Sequence, residues 1–296
     1  MTIIICICTY KRNESLIRLL KSIEKCKKEN ILIEKIIIDN YKDSNCLWAL
    51  EKNNINNFFY TIEIKKGLSN ARNRALTELK KYNFDYCIFL DDDQVVSENW
   101  LLEMIKALNF TNSDIVKGNV IYLSDIEKKE KNKKVELFYT INNIEDGKKI
   151  EYCGLGNTIM RKKVIDENVF FDHRFNCIGG EDTDFFLKLS KLGYKITYSS
   201  RGIVYEEVEE DRLSLNYILK RSFIAGFSYL VVLNNNTSKF KIKQATKSVC
   251  KLIINLVVLL FSNIILKDRS VKCLKKIAQS FGEFYYLLDI DVKGIY

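Results

Sequence analysis

Three consecutive carboxylates, Asp91, Asp92 and Asp93, follow the apolar segment Tyr86–Leu90. A short apolar run predicts a buried strand, so these acids would lie at its carboxyl end, where ligands bind in open α/β sheets. Adjacent carboxylates repel one another unless a cation or solvent balances their charge. Their oxygens suit Mg²⁺ or Mn²⁺ held together with substrate phosphates. The alternative interpretation is a solvated acidic turn.

A second acidic pair, Glu181 and Asp182, follows Gly179 and Gly180 at the predicted start of a helix. A carboxylate placed there could accept the proton of a substrate hydroxyl. The alternative is helix capping, because acidic residues are favoured in the first turn of a helix.

Polar side chains also follow the first three predicted strands. Such loops can bind a base, a ribose or a phosphate, and a glycine before a helix allows a tight turn that could face a diphosphate. The alternative is that they only start the helices that follow. The candidates are Thr9, Tyr10, Arg12, Asp39, Asn70 and Arg72.

The elements that would position these side chains alternate between strand and helix. Predicted strands are Ile3–Thr9, Ile36–Asp39, Phe58–Ile64 and Tyr86–Leu90. Predicted helices are Asn13–Lys28, Trp48–Asn54, Leu68–Lys81 and Glu98–Leu108. This order predicts an α/β fold with a doubly wound, mostly parallel sheet and helices on both faces.

The second half has a mixed pattern. Strands are predicted at Asp114–Tyr122, Glu151–Met160 and Lys195–Tyr198, with a charged loop at Ser124–Lys134 and a helix at Asp184–Leu192. From Leu213 onwards the pattern is helical, so we predict a catalytic domain at 1–212 and a helical region at 213–296.

Composition narrows the class of protein. A chain of 296 residues with 47% hydrophobic residues can bury the core of one large domain and a smaller appendage. A single His and no CxxC pair argue against a zinc site, and nine cysteines fit a reducing cytosol. We expect no signal peptide. The net charge of +9 suits an anionic surface, a phosphate-bearing substrate or simple solubility. The sequence has no basic stretch interleaved with aromatic residues, so it gives no indication of nucleic-acid binding.

Taken together, these segments resemble the family 2 glycosyltransferases, which share the GT-A fold. The matching segments are Thr9–Arg12, Gly67–Asn73, Asp91–Asp93 as a DxD motif, Gly154–Asn157 as an acceptor-side strand, and Gly180–Asp182. The resemblance covers approximately residues 1–230. The stretch Val204–Val208 with Arg212, Lys220, Arg221 and Gly226 is similar to bacterial members that build surface polysaccharides.

The resemblance implies a role for each candidate. Asp93 would bind Mn²⁺ or Mg²⁺, with Asp91 reaching the metal through water or contacting the donor ribose. Glu206 would complete the metal site near the position where many relatives have a His, which this chain lacks. Asp182, or Glu181 beside it, would deprotonate the acceptor hydroxyl, and a single displacement would invert the anomeric carbon.

The remaining candidates would bind the donor. Arg72 would approach its diphosphate, and the rest would surround the nucleotide sugar: Thr9, Tyr10, Arg12, Asp39, Asn70, Asp91 and Asp92. The implied donor is a nucleotide diphosphate sugar, most simply a UDP-sugar, and the implied acceptor is a saccharide or a lipid-linked saccharide.

Leu252–Leu266 is the most apolar stretch of the chain. As a helix its 15 residues would span roughly 22 Å, short of the roughly 30 Å hydrocarbon core. Three interpretations stay open: a buried or homodimer-forming helix, a helix lying in the membrane interface, and a true span. The expected location is cytoplasmic, and the interfacial interpretation would add peripheral docking on the inner face of the cell membrane.

Two other functions compete with the transferase. A sugar nucleotidyltransferase would also use an α/β sheet and acidic metal ligands, but it usually has an N-terminal glycine-rich phosphate loop, and Cys8–Asn13 contains no glycine. A catalytically silent carbohydrate-binding subunit would not need both Asp93 and Asp182.

Overall fold

The first half of the chain alternates strands and helices, as its sequence predicts. Our computed structural model describes residues 1–139, 144–233, 238–262 and 267–290, without the side chains of 238, 260–262 and 267–269. The strands are β1 (Thr2–Thr9), β2 (Leu32–Asp39), β3 (Phe58–Ile62) and β4 (Tyr86–Asp91). The helices are α1 (Asn13–Lys25), α2 (Cys46–Lys52), α3 (Leu68–Leu79) and α4 (Trp100–Phe110).

Strand β1 lies between two apolar layers, one on each face of the sheet. Its residues alternate between the two faces of the sheet. Ile5 belongs to a cluster with Leu16 and Leu20 of α1, whereas Cys6 belongs to a cluster with Ala71 and Ala75 of α3. Helices therefore cover both faces of the sheet, and they hold the carboxyl end of β1 in a fixed position.

The sheet reverses its strand order at β1. Strand β1 pairs in parallel with both β2 and β4, and β3 pairs with the outer side of β2. Because chain connections leave in opposite directions on either side of β1, a crevice opens at the carboxyl ends of β1 and β4. The loop after β1 and the three aspartates at the end of β4 face this crevice.

The second half is more mixed than its sequence suggests. A short strand, β5 (Gln94–Val96), follows β4, and the second half contributes β6 (Ile115–Leu123), β7 (Lys149–Ile150), β8 (Thr158–Arg161) and β9 (Ile196–Glu207). The described sheet has the order β3-β2-β1-β4-β8-β6-β9-β5, with β7 paired to β9. The parallel ladder of β6 with β9 is long, while β8 pairs antiparallel to both β4 and β6.

Three local predictions in this half were wrong. The predicted strand Glu151–Met160 is extended only at β8, because Asn157 adopts a left-handed backbone with φ 57°. The predicted strand Lys195–Tyr198 continues to Glu207 as β9. The charged loop Ser124–Lys134 ends in helix α5 (Lys133–Phe138), where the Asn132 side chain accepts a hydrogen bond from the Val135 amide at 2.9 Å.

The remaining helices are α6 (Lys162–Asp166), α7 (Glu181–Lys191), α8 (Leu215–Leu233), α9 (Ser238–Ser262) and α10 (Lys267–Leu287). Gly179 and Gly180 precede α7 with φ 66° and 98°, a conformation that side chains rarely adopt, so the glycine pair permits the turn into this helix.

The chain divides into two compact units. One contains 1–126, 141–173 and 181–207, and therefore the whole sheet; the other contains 127–140, 174–180 and 208–296. The boundary at residue 212 stays a prediction. In the second unit α8 and α10 touch backbone to backbone: a Cβ at Gly226 would lie 2.0 Å from the Gln279 carbonyl oxygen.

None of the described helices is both long and apolar enough to cross a bilayer. The apolar stretch predicted at Leu252–Leu266 belongs to α9 as far as Ser262, and residues 263–266 lie outside the described part of the chain.

Candidate active site

A hydrogen-bond network lines the crevice at the carboxyl ends of β1 and β4. Thr9 Oγ1 donates to Asp92 Oδ2 at 2.7 Å, and Arg12 Nη1 donates to Asp92 Oδ1 at 3.3 Å and to Asp93 Oδ2 at 2.8 Å. Burial, reinforced by the neighbouring Asp93, raises the pKa of Asp92 to about 6, although the Thr9 hydrogen bond opposes the shift. The structure thus brings together four residues that the sequence placed on separate loops.

An aromatic and cationic cluster lies beside this network. The Tyr10 and Tyr41 rings meet edge to face, with centroids 5.7 Å apart. Lys11 Nζ lies 4.3 Å from the Tyr41 centroid, and Lys66 Nζ lies 5.6 Å from the Tyr10 centroid. A flat base can stack on aromatic rings, and two ammonium groups can contact phosphate.

Asp39 is almost fully buried at the end of β2. Its carboxylate accepts hydrogen bonds from the Tyr60 hydroxyl and the Tyr41 amide, both at 3.0 Å. Burial and the Asp39 charge raise the pKa of Tyr60, so this phenol stays a donor. Asp39 therefore orients the segment that carries Tyr41.

The loop into α3 is fixed by its neighbours. Asn40 Oδ1 accepts from the Gly67 amide at 2.8 Å, and Asn70 Nδ2 donates to the Lys66 carbonyl at 3.0 Å. Asn73 exchanges two hydrogen bonds with the Phe171 backbone. Asn73 ends the segment Gly67–Asn73 that resembles the family motif, and its two hydrogen bonds anchor α3 to the backbone at Phe171.

Arg72 of α3 reaches the two acids that begin α7. Its Nη1 lies 2.7 Å from Glu181 Oε1 and 2.5 Å from Asp182 Oδ1, and only 6% of its side chain is exposed. The sequence assigned Arg72 to the diphosphate and Asp182 to the acceptor. The structure joins the two residues in one buried ion pair.

Asp182 has a second protein donor. Its Oδ2 accepts from the Leu155 amide at 2.9 Å. Burial raises the pKa of Asp182, Arg72 opposes the shift, and the Glu181 charge adds to it. Each carboxylate oxygen keeps a further lone pair. Asp182 is therefore oriented by the protein and can still accept a proton.

Asp91 interacts electrostatically with acids of both groups described above, with Asp92 and with Asp182. A Cβ at Gly156 would lie 2.0 Å from Asp91 Oδ2, so only glycine allows this carboxylate to approach the turn that precedes β8. The Lys117 ammonium donates to the Gly156 carbonyl. Burial raises the pKa of Asp91, and the positive charges of Arg72 and Lys117 oppose that shift.

Glu206 of β9 completes the acidic surface. Gln94 Nε2 lies 3.4 Å from Glu206 Oε2 and 3.5 Å from Asp91 Oδ2, so one amide bridges two carboxylates. Burial, followed by repulsion from Asp93 and Asp91, raises the pKa of Glu206 to about 7. An excess of buried negative charge with oxygen donors fits Mg²⁺ or Mn²⁺.

Within the described residues, no three His, Cys, Asp or Glu side chains are already arranged around a single metal position. Mg²⁺ usually takes only one or two protein carboxylates and completes its shell with water and substrate phosphates. The assignment of Asp93, Asp91 and Glu206 to a metal therefore stays a prediction.

Lys117, Tyr41 and Gln94 also belong to the site, and the sequence did not predict them. Lys117 lies in the middle of β6, and its charge acts on Asp91, Asp182 and Glu206. A lysine inside an otherwise apolar strand pattern was the available signal, since charges are rarely placed in a central strand without a partner. Tyr41 and Gln94 carry no comparable signal.

The raised pKa of Glu206 predicts that the stability of the protein depends on pH. Acids whose pKa is raised by folding stabilise the protein at low pH, and this contribution is lost as the pH rises through the folded pKa of about 7 for Glu206. In chelator, the wild-type Tm is expected to fall more between about pH 5 and pH 8 than that of Glu206→Gln. Mn²⁺ should raise the wild-type Tm more at the higher pH, because it binds ionised carboxylates.

Scanning fluorimetry measures both effects, with the adjacent Glu207→Gln as the matched control. Equal pH dependence of the wild type and Glu206→Gln would show that Glu206 does not carry a raised pKa.

The sheet gathers acids, basic groups and paired aromatics at its strand ends, which is the arrangement typical of a ligand-binding site in an α/β enzyme fold. Comparison with known proteins gives the family: the model for glycosyl transferase family 2 matches residues 4–169. The chain belongs to glycosyl transferase family 2. The predicted family is confirmed.

A curated relative is the succinoglycan biosynthesis protein ExoM of Rhizobium meliloti (strain 1021), which is 30% identical over 146 residues. The match covers 48% of this chain and 46% of ExoM, so it spans about half the length of that relative.

Solved structures share the fold. The crystal structure of S. aureus TarS superposes with a TM-score of 0.53 at 15% identity, covering 97% of this chain and 55% of that one. TarS 1–349 in complex with UDP gives 0.51 at 15% identity, covering 99% and 93%. The complex with UDP-GlcNAc gives 0.50 with the same identity and coverage. The likeness confirms the predicted GT-A fold.

Proposed function

We propose that this enzyme transfers a sugar from a UDP-sugar to an acceptor hydroxyl, with Mn²⁺ or Mg²⁺ and with inversion of the anomeric carbon. The observation that carries the proposal is the convergence of two groups at one sheet edge. One group is the donor-side network of Thr9, Arg12, Asp92 and Asp93, and the other is the buried pair of Arg72 and Asp182.

The donor would lie over the carboxyl ends of β1 and β2. Tyr10 and Tyr41 offer ring faces for a base, and Lys11 and Lys66 offer charge for phosphate. The structurally similar TarS has been captured with UDP and with UDP-GlcNAc, which supports a uridine diphosphate donor here.

Asp93 and Glu206 would hold the divalent cation together with diphosphate oxygens, and Asp91 would reach it through water. A cation bound there would offset the charge that develops on the leaving diphosphate. The Arg12 contact keeps Asp93 oriented before the donor arrives, and the Gln94 amide does the same for Glu206.

Asp182 would act as the base. The acceptor oxygen forms a bond to the anomeric carbon, the bond from that carbon to the diphosphate oxygen breaks, and the hydroxyl proton passes to Asp182. Arg72 and the Leu155 amide hold the carboxylate while this occurs. A single displacement from the face opposite the leaving group inverts the configuration.

The acceptor would be a saccharide or a lipid-linked saccharide. ExoM is named for succinoglycan biosynthesis, which supports a role in assembling a polysaccharide or glycolipid. A lipid-linked acceptor would place the enzyme on the cytoplasmic face of the cell membrane.

The proposal is tested by offering nucleotide diphosphate sugars one at a time. Release of UDP is measured with Mn²⁺, with Mg²⁺ and with excess chelator, first without and then with saccharide acceptors. UDP release that requires a divalent cation supports the proposal, whereas binding without turnover for every donor would indicate a silent carbohydrate-binding subunit.

Asp93→Ala is expected to abolish nearly all transfer while the fold is retained, because it removes the carboxylate assigned to the cation. Transfer rate and Tm are measured together, with the exposed Asp166→Ala as the matched control. Full wild-type activity in excess chelator, or in Asp93→Ala, would show that the cation assignment is wrong.

A further inference from the structure

The surface of helix α9 is the strongest unexplained feature outside the catalytic site. Ile242, Val249, Ile253, Leu256 and Val257 follow one another at spacings that place them on one side of the helix. Each of these side chains is between 42% and 67% exposed. We call this set the α9 stripe. Exposed apolar patches of this kind usually mark an interaction surface.

The opposite side of α9 already has a partner. Ser248 Oγ donates to Glu283 Oε2 of α10 at 2.5 Å, Lys251 Nζ lies 2.9 Å from Glu283 Oε1, and Asn255 is buried nearby. Packing on α10 therefore uses the polar side of α9, and the described residues leave the stripe exposed. A helix that buried its apolar side within this unit would show the reverse arrangement.

A basic cavity adjoins the stripe. It has a volume of about 800 Å³, and Lys243, Lys247 and Lys251 of α9 line it together with Lys276 of α10. No acidic side chain contributes to its lining, and only Lys251 has a carboxylate partner among the described ion pairs. We call it the lysine pocket. Its charge complements phosphate groups.

We propose that α9 docks this enzyme on an anionic phospholipid bilayer, with lipid phosphates in the lysine pocket and the α9 stripe among the upper acyl chains. A helix with lysines beside an apolar face lies in the plane of such an interface, and each lysine near an anionic surface adds to the attraction. The inference extends the proposed function by giving it a membrane partner.

A second copy of the chain fits the same surface less well. A two-fold contact would bring the same face together from both subunits. Such a contact would gather the lysines of both pockets near one interface, and among the four lysines of each pocket only Lys251 has a carboxylate partner among the described ion pairs. A bilayer that contains anionic lipids meets both the apolar and the basic requirement at once.

The test is flotation of the full chain with two kinds of vesicle, phosphatidylcholine alone and phosphatidylcholine mixed with phosphatidylglycerol. Wild-type protein is expected to float only with the anionic vesicles and to be released by high salt. Lys243→Gln combined with Lys247→Gln should bind about thirty-fold more weakly. Ile253→Ser combined with Val257→Ser should lose binding as well. The matched control is Lys106→Gln with Lys148→Gln, which removes the same charge from exposed positions elsewhere.

Two results would overturn the inference. One is wild-type binding that ignores lipid charge or is absent. The other is a soluble dimer that disappears in the stripe variant without any vesicle binding, which would assign the stripe to a second copy. UDP release is measured in parallel without vesicles, where all variants should match the wild type, so that failed docking and failed catalysis are distinguished.

Discussion

Asp182→Asn is expected to lower kcat by about 10²–10⁴-fold, the usual contribution of a positioned general base. Donor affinity should be retained, because Asp182 lies on the acceptor side of the proposed site. The amide cannot take the hydroxyl proton. Arg72 and the Leu155 amide donate to different oxygens of Asp182, and in Asn one of these two atoms becomes an NH2 group that cannot accept. A small loss of Tm should therefore accompany the loss of rate.

The pH profile gives a second measurement of the same role. A base must be deprotonated to act, so the wild-type rate should fall as the pH drops through the pKa of Asp182, which burial raises above its ordinary value. Glu181→Gln is the matched control and should keep most of the activity. A normal rate in Asp182→Asn together with a lost rate in Glu181→Gln would transfer the role to Glu181, and lost donor affinity in Asp182→Asn would contradict its assignment to the acceptor side.

Arg72→Met is expected to destabilise the protein by about 3–5 kcal/mol, the typical cost of removing one partner from a buried ion pair. The variant leaves Glu181 and Asp182 without the guanidinium that lies 2.7 and 2.5 Å from them. Urea unfolding at neutral pH measures the change in the free energy of unfolding. Arg72→Lys should recover only part of it, since one ammonium lacks the forked geometry that contacts both acids.

The control for Arg72 is the exposed Arg201→Met on β9, which should change the free energy of unfolding very little. A stable Arg72→Met variant that had lost only donor affinity would favour the role that the sequence suggested for Arg72, at the diphosphate. Loss of both stability and kcat, with donor affinity kept, would favour the pairing with Asp182.

Local patterns were sufficient for the parallel half of the sheet. The apolar run at Ile3–Thr9 and the alternating helices predict β1, α1 and their neighbours to within a few residues, because each element is specified by its own periodicity. The three aspartates likewise follow from a strand that ends where they begin. The family is recognisable from the same segments, because the order of these segments along the chain can be read from the sequence without any tertiary contacts.

Other elements depend on contacts that no local pattern records. The segment Gly154–Asn157 is apolar and small enough to resemble a strand, yet Asn157 turns out of the sheet. Its side chain donates to the carbonyls of Asn119 and Gly202 and accepts from the Trp100 indole. These partners lie far apart in the sequence, and they stabilise a left-handed backbone conformation that is uncommon for residues other than glycine.

The sequence by itself determined the family, the order of the strands and helices in the first half, and most of the side chains that meet at the carboxyl edge of the sheet. Only the tertiary structure decided how those side chains pair. Arg72 meets Asp182 across 110 positions of sequence, and Lys117 acts on Asp91 from a different strand. The physical reason is that periodicity places a residue on a face of its own element, whereas an ion pair depends on where two elements cross.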